Sequence, residues 1–439
     1  MPSYRSKQGI DQPDLVAGNG LLDRRALLRG GAAVATAMGY TLADEVAADT
    51  LPIEPWMQIP GVLPRDANGI PHLEYDTPSR FESHVVRRGV GSKDNINIPE
   101  VGTVRTPHHL LTGTITPSGL HFTRLHTGIP DIDPAKHRLL IHGLVKRPLI
   151  FDLETLARYP MESHIYFLEC GGNSETMYDE HPAQVGVQRL HGQVSCSEWT
   201  GVKLSILMDE AGVDPKGKWI LAEGADASGM TRSVPMEKIM DNAMLALYQN
   251  GERVRPSNGY PMRLFLPGFE GNMNVKHLRR IKVLEAPTMS RDETSKYTMT
   301  ISGGKSTQFN MVMEAKSMIT HPSPDLKLKE PGLYQLSGLA WSGYGSVAKV
   351  EVSADGGKSW AEAVLQQPVR RLGLARFNMP WRWDGGPALL QSRVTDDTGY
   401  VQPTRAKMME TRGRWANYHA NCITTWSVLP TGEVKHVYA

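Results

Sequence analysis

Cysteine is scarce in this 439-residue chain: Cys170, Cys196 and Cys422 are the only three, odd in number and far apart. At least one of them must stay free or bind something. There is no C-x-x-C pair, which argues against zinc sites of the common spacing, and no C-x-x-C-H, which removes covalently attached haem. No apolar run approaches 18 residues, so no membrane span is predicted. A charge excess is missing too. The 48 Lys and Arg against 46 Asp and Glu leave a formal +2, which gives no case for nucleic acid or an anionic membrane as a partner. What the chain does hold is 42 Gly, 30 Pro and nine Trp, a composition that fits a loop-rich protein with much β structure better than a helical bundle.

The length predicts two or three domains. Residues 1–48 read as an export segment: Arg24 and Arg25 adjacent, Arg29 shortly after, then a mild apolar stretch from Gly30 to Tyr40 with small residues beyond it. This resembles a twin-arginine signal, which carries folded, cofactor-loaded proteins across a bacterial membrane, and it predicts a periplasmic location. The competing reading is an amphipathic first helix with two surface arginines. Residues 49–110 are Pro-rich and irregular and predict an extended segment.

Compact patterning follows over 111–293. "HRLLIHGLV" reads as a strand and "DLETLARYP" as a short helix started by Asp152 and stopped before Pro160. "ESHIYFLEC" reads as a strand ending on Cys170. "TGVKLSILMDEAG" reads as a helix with Val202, Ile206, Leu207 and Ala211 on one face and Gly212 as its stop. Strands and helices without regular alternation predict a mixed α+β domain. From 294 to 430 the pattern changes, with "TSKYTMTISGGKSTQ" as a linker. Val350, Val352 and Ala354 alternate with polar residues, and Asp355-Gly356 and Asp384-Gly385 mark turns. These signs predict a β-sandwich of the immunoglobulin type.

One cysteine stands out. In "FLECGGNSE" Cys170 closes an apolar run and is followed by Gly171, Gly172 and Asn173. Three readings are open: a buried free thiol packing as a small hydrophobe, a nucleophile paired with a histidine, or a metal thiolate. The glycines favour access of backbone or a large ligand to the sulfur.

An ordered set of segments resembles the sulfite oxidase family of molybdopterin enzymes, in particular its sulfane dehydrogenase (SoxC-type) branch: "FTRLHTGIPDIDP", "FLECGGNSE", "SCSEWTGVKL", "AEGADASGM", "ALYQNGERVRPSNGYPMRLFLPGFEGNMNVKHLRRI", "PWRWDGGPALLQSRVTDDTGYVQP" and "ETRGRWANYH". The resemblance spans about 105–430 and implies the sulfite oxidase fold, an α+β molybdopterin-binding domain followed by an immunoglobulin-like dimerisation domain. It implies molybdenum-molybdopterin as cofactor, with Cys170 as the protein's ligand to the metal. It places Phe122, Thr123, Arg124, Leu125 and His126 along the pterin and substrate edge, and Asp226, Asn258, Arg263, Asn274, Val275 and Lys276 at the cofactor. Leu125 departs from the family's usual Asn, and Asn258 and Asn274 stand where the family has histidines. Arg124, Tyr248 and Arg412 match catalytic positions, and Trp199 a pocket tryptophan. Read without the family, Trp199 is core, Arg412 a surface charge and Lys276 a solvated strand end.

The resemblance further implies oxygen-atom transfer to sulfur, with electrons leaving to a separate c-type cytochrome subunit, since this chain carries no haem motif. Where sulfite oxidases carry a further arginine, two residues after the loop Asn, this chain has Glu175. A carboxylate there disfavours a free dianion and favours a sulfane sulfur borne on a carrier protein. A homodimer through the sandwich, completed by two cytochromes to a heterotetramer, is implied as well. The alternatives are a periplasmic sulfite dehydrogenase using cytochrome c and a non-catalytic exported scaffold.

Overall fold

Alternation and turn chemistry build two sheet-rich layers in the computed structural model, which describes residues 15–22, 78–91 and 102–439. The first domain holds two five-stranded sheets. One runs Thr231–Pro235, Trp219–Gly224, Leu278–Leu284, Leu139–Gly143, Leu149–Phe151 in spatial order, antiparallel except where Leu278–Leu284 meets Leu139–Gly143. The other runs Glu252–Arg253, Met244–Gln249, Val194–Lys203, Met161–Glu169, with Arg263–Phe265 also paired to Met244–Gln249. Leu139, Ile141, Leu207, Ile220, Leu245 and Ile281 fill its core.

The helices start and stop where side chains dictate. Asp152 accepts from the N–H of Thr155 at 2.8 Å and caps Leu153–Leu156. Gly212, at φ +70°, ends Leu204–Ala211. That helix buries Leu204, Leu207, Met208 and Ala211. Val202, expected on its face, instead lies in the preceding strand, Val194–Lys203, and Ile206 is only half-buried.

The second domain is a sandwich. One sheet orders Ala361–Glu362, Val347–Ser353, Ala388–Asp396, Thr425–Val428, Val434–Val437; the other carries Ala375–Trp383, Gly332–Trp341 and Lys316–His321. Val350, Phe377, Trp381, Leu390 and Trp426 pack between them. The stretch read as a linker is ordered: a π-turn at Asp292–Lys296, then a hairpin of Met299–Ile301 and Lys305–Thr307.

Two expectations about the N-terminal part need correction. Residues 1–48 read as an export segment, yet Leu15–Ala17 and Leu21–Leu22 form a hairpin on the edge of strand Ala375–Trp383, with Leu21 opposite Trp381. Leu21 and Leu22 are buried, the indole of Trp381 donates to the carbonyl of Asn19 (2.8 Å), and the N–H of Arg382 donates to the carbonyl of Gly20 (2.8 Å). A sheet edge with open donors and acceptors accepts such a partner readily. Arg24, Arg25 and the rest of the signal lie outside the described residues. The segment 49–110 is also not uniformly irregular. Gly102–Arg105 sits between Arg88–Gly91 and Thr123–Leu125 in a three-stranded sheet. Residues 78–86 fall outside the main compact unit and hold a single 3-10 turn, Arg80–Glu82. Among the described residues no helix is long and apolar enough to cross a membrane.

Candidate functional site

The strand Met161–Glu169 ends one residue before Cys170, so the thiol leaves the sheet into a concave site between the strands and loops of the first domain. Phe122, Thr123, Arg124, His126, Asp226, Asn258, Arg263, Asn274, Val275 and Lys276 all line it. The fold therefore brings together the expected cofactor residues except Leu125, which is absent from the lining.

The loop is fixed from below. Glu169 is fully buried; its Oε1 accepts from Asn173 Nδ2 (2.9 Å) and Lys316 Nζ (3.1 Å), and its Oε2 from the Trp341 indole (2.6 Å). Ser174 takes φ +67°, with its hydroxyl 2.8 Å from Lys316 Nζ and 2.7 Å from His191 Nδ1. The reason for the first loop glycine differs from the expectation of space for a cofactor. A Cβ on Gly171 would lie 2.3 Å from Glu270 Oε2. Gly171 makes room for a carboxylate of the protein itself.

That carboxylate belongs to a buried chain of alternating charge. Arg232, 0% exposed, pairs with Glu293 (2.9 Å) and Glu270 (3.2 Å). His419 lies 3.3 Å from Glu270 and 3.0 Å from Glu314, which also takes Arg412 at 2.6 Å. Burial opposes a charge on His419, but Glu314 and the hydrogen bonds to both carboxylates outweigh it and raise its pKa to about 10. Three carboxylates thus alternate with three cations, and the backbone N–H of His419 donates to the carbonyl of Gly171 (2.8 Å).

Three expected site residues are placed elsewhere. Tyr248 does not line the cavity; its ring lies under the Arg253 guanidinium at 4.8 Å, on a strand where it opposes Thr200 and Arg253. The tyrosine in the cavity is Tyr297, missed in the sequence because it lies in the stretch read as a linker. Its hydroxyl is 3.1 Å from His126 Nε2, and its ring sits beneath Arg232 at 4.7 Å. Burial, with Cys170 and Glu270 nearby, raises the Tyr297 pKa well above its usual value. Burial, with Arg124 and Lys276, lowers that of His126 to about 4. At neutral pH the phenol is therefore a donor and the imidazole neutral. Arg412 is likewise absent from the lining and is held by Glu314. Trp199, 0% exposed, packs in the core under the Arg263 guanidinium, 5.3 Å from ring to carbon, and against Phe265.

Asn258 and Asn274 acquire a definite role. The side chain of Asn258 accepts from Thr123 (3.0 Å) and donates to Gln249 (3.1 Å), while that of Asn274 accepts from the N–H of Leu266 (2.7 Å) and donates to the carbonyl of Glu270 (2.9 Å). Their backbone carbonyls take the two Nη atoms of Arg263, each at 2.8 Å. The two residues hold the arginine in place.

The cavity suits an anionic, metal-bearing cofactor on its own chemistry. Among the described residues Arg263 and Lys276 pair with no carboxylate at salt-bridge distance, although burial lowers their pKa values to about 9 and about 7. Uncompensated buried cations are costly, so an anion here gains strongly. Arg263 Nε and both side-chain polar atoms of Asn272 are buried without partners. Burial raises the Cys170 thiol to about 11, against the pull of the Gly172 N–H and Arg124, so the thiolate needs a metal to form. Among the described residues no group of three or more His, Cys, Asp or Glu could hold an ion. A metal at Cys170 would bring its other ligands with it.

Comparison with known proteins agrees with this geometry. The model for the oxidoreductase molybdopterin binding domain matches residues 126–292, and that for the Mo-co oxidoreductase dimerisation domain matches 307–425. The crystal structure of the sulfane dehydrogenase SoxCD from Paracoccus pantotrophus superposes with a TM-score of 0.83 at 44% identity, covering 88% of this chain and 97% of that one. Mitochondrial sulfite oxidase of Mus musculus is 30% identical over 293 residues, 62% of this chain and 53% of its own. Nitrate reductase [NAD(P)H] of Hordeum vulgare is 30% identical over 308 residues, 63% of this chain and 34% of its own. The chain thus spans about half or less of the length of these two relatives.

Proposed function

This chain belongs to the sulfite oxidase family of molybdopterin oxidoreductases, and from that premise we propose that it oxidises sulfane sulfur carried on a cysteine arm of a carrier protein. Each two-electron step adds one oxygen from water to the sulfur and releases two protons and two electrons. The electrons pass to a separate c-type cytochrome subunit. Two copies join through the sandwich, and the work is done in the periplasm after export by the twin-arginine route.

The observation that carries the substrate reading is Glu175. It stands where the sulfite-oxidising members carry an arginine, and its carboxylate lies 3.9 Å from Arg189, with its charge felt at Cys170. A free dianion meets a carboxylate there, whereas a sulfur delivered on a protein arm owes its binding to the arm.

Molybdenum-molybdopterin supplies, when bound, a two-electron centre able to deliver oxygen to sulfur. Cys170 would ligate the metal, and Arg263, Lys276 and Asn272 would hold the anionic, polar body of the cofactor. Tyr297, kept protonated, donates toward oxygen at the reacting end, and neutral His126 holds the phenol in position. Arg124 brings a fixed positive charge to the same side. Preorganised donors of this kind stabilise developing negative charge without reorganisation.

The test is steady-state oxidation of a carrier persulfide and of free sulfite by the same preparation, at matched molybdenum content. Turnover of the persulfide with a much poorer kcat/KM for sulfite supports the reading. Efficient sulfite oxidation without persulfide turnover replaces it with a sulfite dehydrogenase, and a preparation that binds no molybdenum leaves only the scaffold. Export has its own check: Arg24→Lys with Arg25→Lys is expected to leave cofactor-loaded protein in the cytoplasm.

A further inference from the structure

Beyond the cofactor cavity lies a second concave site, walled by Arg88, Arg105, His109, Gln188, Arg189 and Asp325. Arg105 is its centre. It is 4% exposed, and its Nε and Nη1 have no hydrogen-bond partner among the described residues. Only Nη2 is used, donating to Gln193 Oε1 at 3.3 Å.

The site is built around this side chain. The carbonyl of Arg105 accepts from Gln188 Nε2 (2.9 Å), and the N–H of Thr106 donates to the carbonyl of Gly192 (2.8 Å). A Cβ on Gly192 would come within 2.8 Å of the Arg105 Cβ. Asp325 is already engaged: its Oδ2 accepts from the N–H of Val187 (2.8 Å) and lies 3.6 Å from His109 Nδ1. Glu175 leans toward Arg189 from outside. Three guanidiniums therefore line the site with one carboxylate, Asp325, and the most buried guanidinium keeps two donors free among the described residues. Leaving such donors dry and unpaired is unfavourable, so the site is shaped for an anion with several oxygens.

The surroundings say which anion. Arg105 donates to Gln193, whose backbone N–H donates to Oδ1 of Asn173 in the Cys170 loop (3.1 Å), so one residue separates it from that loop. Arg105 follows two residues after Thr103, which pairs with Arg124 across the strands Gly102–Arg105 and Thr123–Leu125. Guanidinium forks match the paired oxygens of sulfur oxyanions.

We propose that this cavity is a subsite for a sulfur oxyanion, the oxidised group growing on the carrier arm, and that Arg105 with Arg189 replaces the arginine absent at position 175. The inference rests on the sulfur-oxidising reading above. It deepens that reading by naming what discriminates an arm-bound oxyanion from a free one.

Two probes test it by calorimetric titration of the molybdenum-loaded protein at low ionic strength: inorganic sulfate and an S-sulfonated carrier protein. Loss of one charge-assisted pairing weakens binding roughly ten- to a hundredfold. R105M is expected to lose that much for the carrier probe, and R189Q, whose guanidinium is partly exposed, several-fold. An equal loss with free sulfate assigns the cavity to any such oxyanion, released product included. A loss with the carrier alone assigns it to the arm-bound group. Should R105M fail to fold, R189Q decides. Unchanged affinity for both probes in the folded variants overturns the subsite, as does loss of molybdopterin from R105M with unchanged binding in R189Q. A protein that turns over no persulfide yet shows the loss keeps the subsite and drops the reading beneath it.

Discussion

The hydroxyl of Tyr297 lies 3.1 Å from Nε2 of His126, so the phenol inside the cofactor cavity is tied to the same segment that carries Arg124. The phenol keeps its proton at neutral pH and the imidazole stays uncharged. With its own proton on Nε2 the imidazole donates to the phenolic oxygen, which leaves the phenol's proton free for the reacting end. Tyr248, on a strand outside the cavity, has no such relationship among the described residues.

Tyr297→Phe is therefore expected to lower kcat by roughly ten- to a hundredfold, the scale of one preorganised donor, with molybdopterin content unchanged. Tyr248→Phe is expected to retain near-normal kcat. The reverse ranking, measured at equal metal content, would return the catalytic role to Tyr248.

Cys170→Ser is expected to abolish turnover and molybdenum retention while leaving the circular dichroism spectrum intact, because a hydroxyl is a poor substitute for a soft thiolate. Cys196→Ser and Cys422→Ser separate structure from chemistry. Both thiols are buried, at 0% and 1% exposed, and a hydroxyl there costs about 1–3 kcal/mol when it finds no partner. Lower melting temperatures with normal specific activity are the expected result. Full turnover by Cys170→Ser would end the ligand assignment.

His419 titrates near 6.5 in an unfolded chain and at about 10 in the fold. Its folded value is the higher one, so its stabilisation is complete below about pH 6.5 and fades as the pH rises through about 10. His419→Gln leaves Glu270 and Glu314 without the cation between them, a loss of about 3 kcal/mol or more at neutral pH. The melting-temperature gap between the parent and this variant is expected to narrow steadily from pH 7 to pH 10. A gap independent of pH would show that His419 is neutral in the fold.

Glu175→Arg is expected to improve free-sulfite turnover, chiefly through KM, and to impair turnover of the carrier persulfide. The Glu175 side chain is 46% exposed, so solvent screening keeps the gain near the lower end for a charge-assisted bond, roughly tenfold. Unchanged sulfite kinetics with an intact metal site would mean that the carboxylate does not act on the substrate.

Short local signals were legible in the sequence. Asp152 and Gly212 mark helix ends by chemistry confined to a few residues, and the alternation of Val350, Val352 and Ala354 gives the sandwich its buried face. Cys170 announces itself because a thiol beside glycines is unusual. Tyr297 was not legible, since its role comes from contact with His126, 171 residues away. Trp199 looked like a pocket residue, but its strand turns it inward beneath Arg263. Arg105 carries no motif, and its value lies in what does not bond to it. Nor do Leu21 and Leu22 show in sequence that they meet a strand over 350 residues later.

The Glu169–Lys316 pair, 3.1 Å apart and nearly fully buried on both sides, joins the loop of Cys170 to a strand of the sandwich. The loop is thus common property of two domains that the sequence presents as successive modules. A graft that exchanged the second domain for a relative's would have to bring a cation at 316 and an indole at 341, or the carboxylate beside Cys170 would be left buried with Asn173 alone as its partner. Inheritance of the Cys170 loop is in this sense tied to inheritance of the sandwich, and the two halves cannot be shuffled as independent parts.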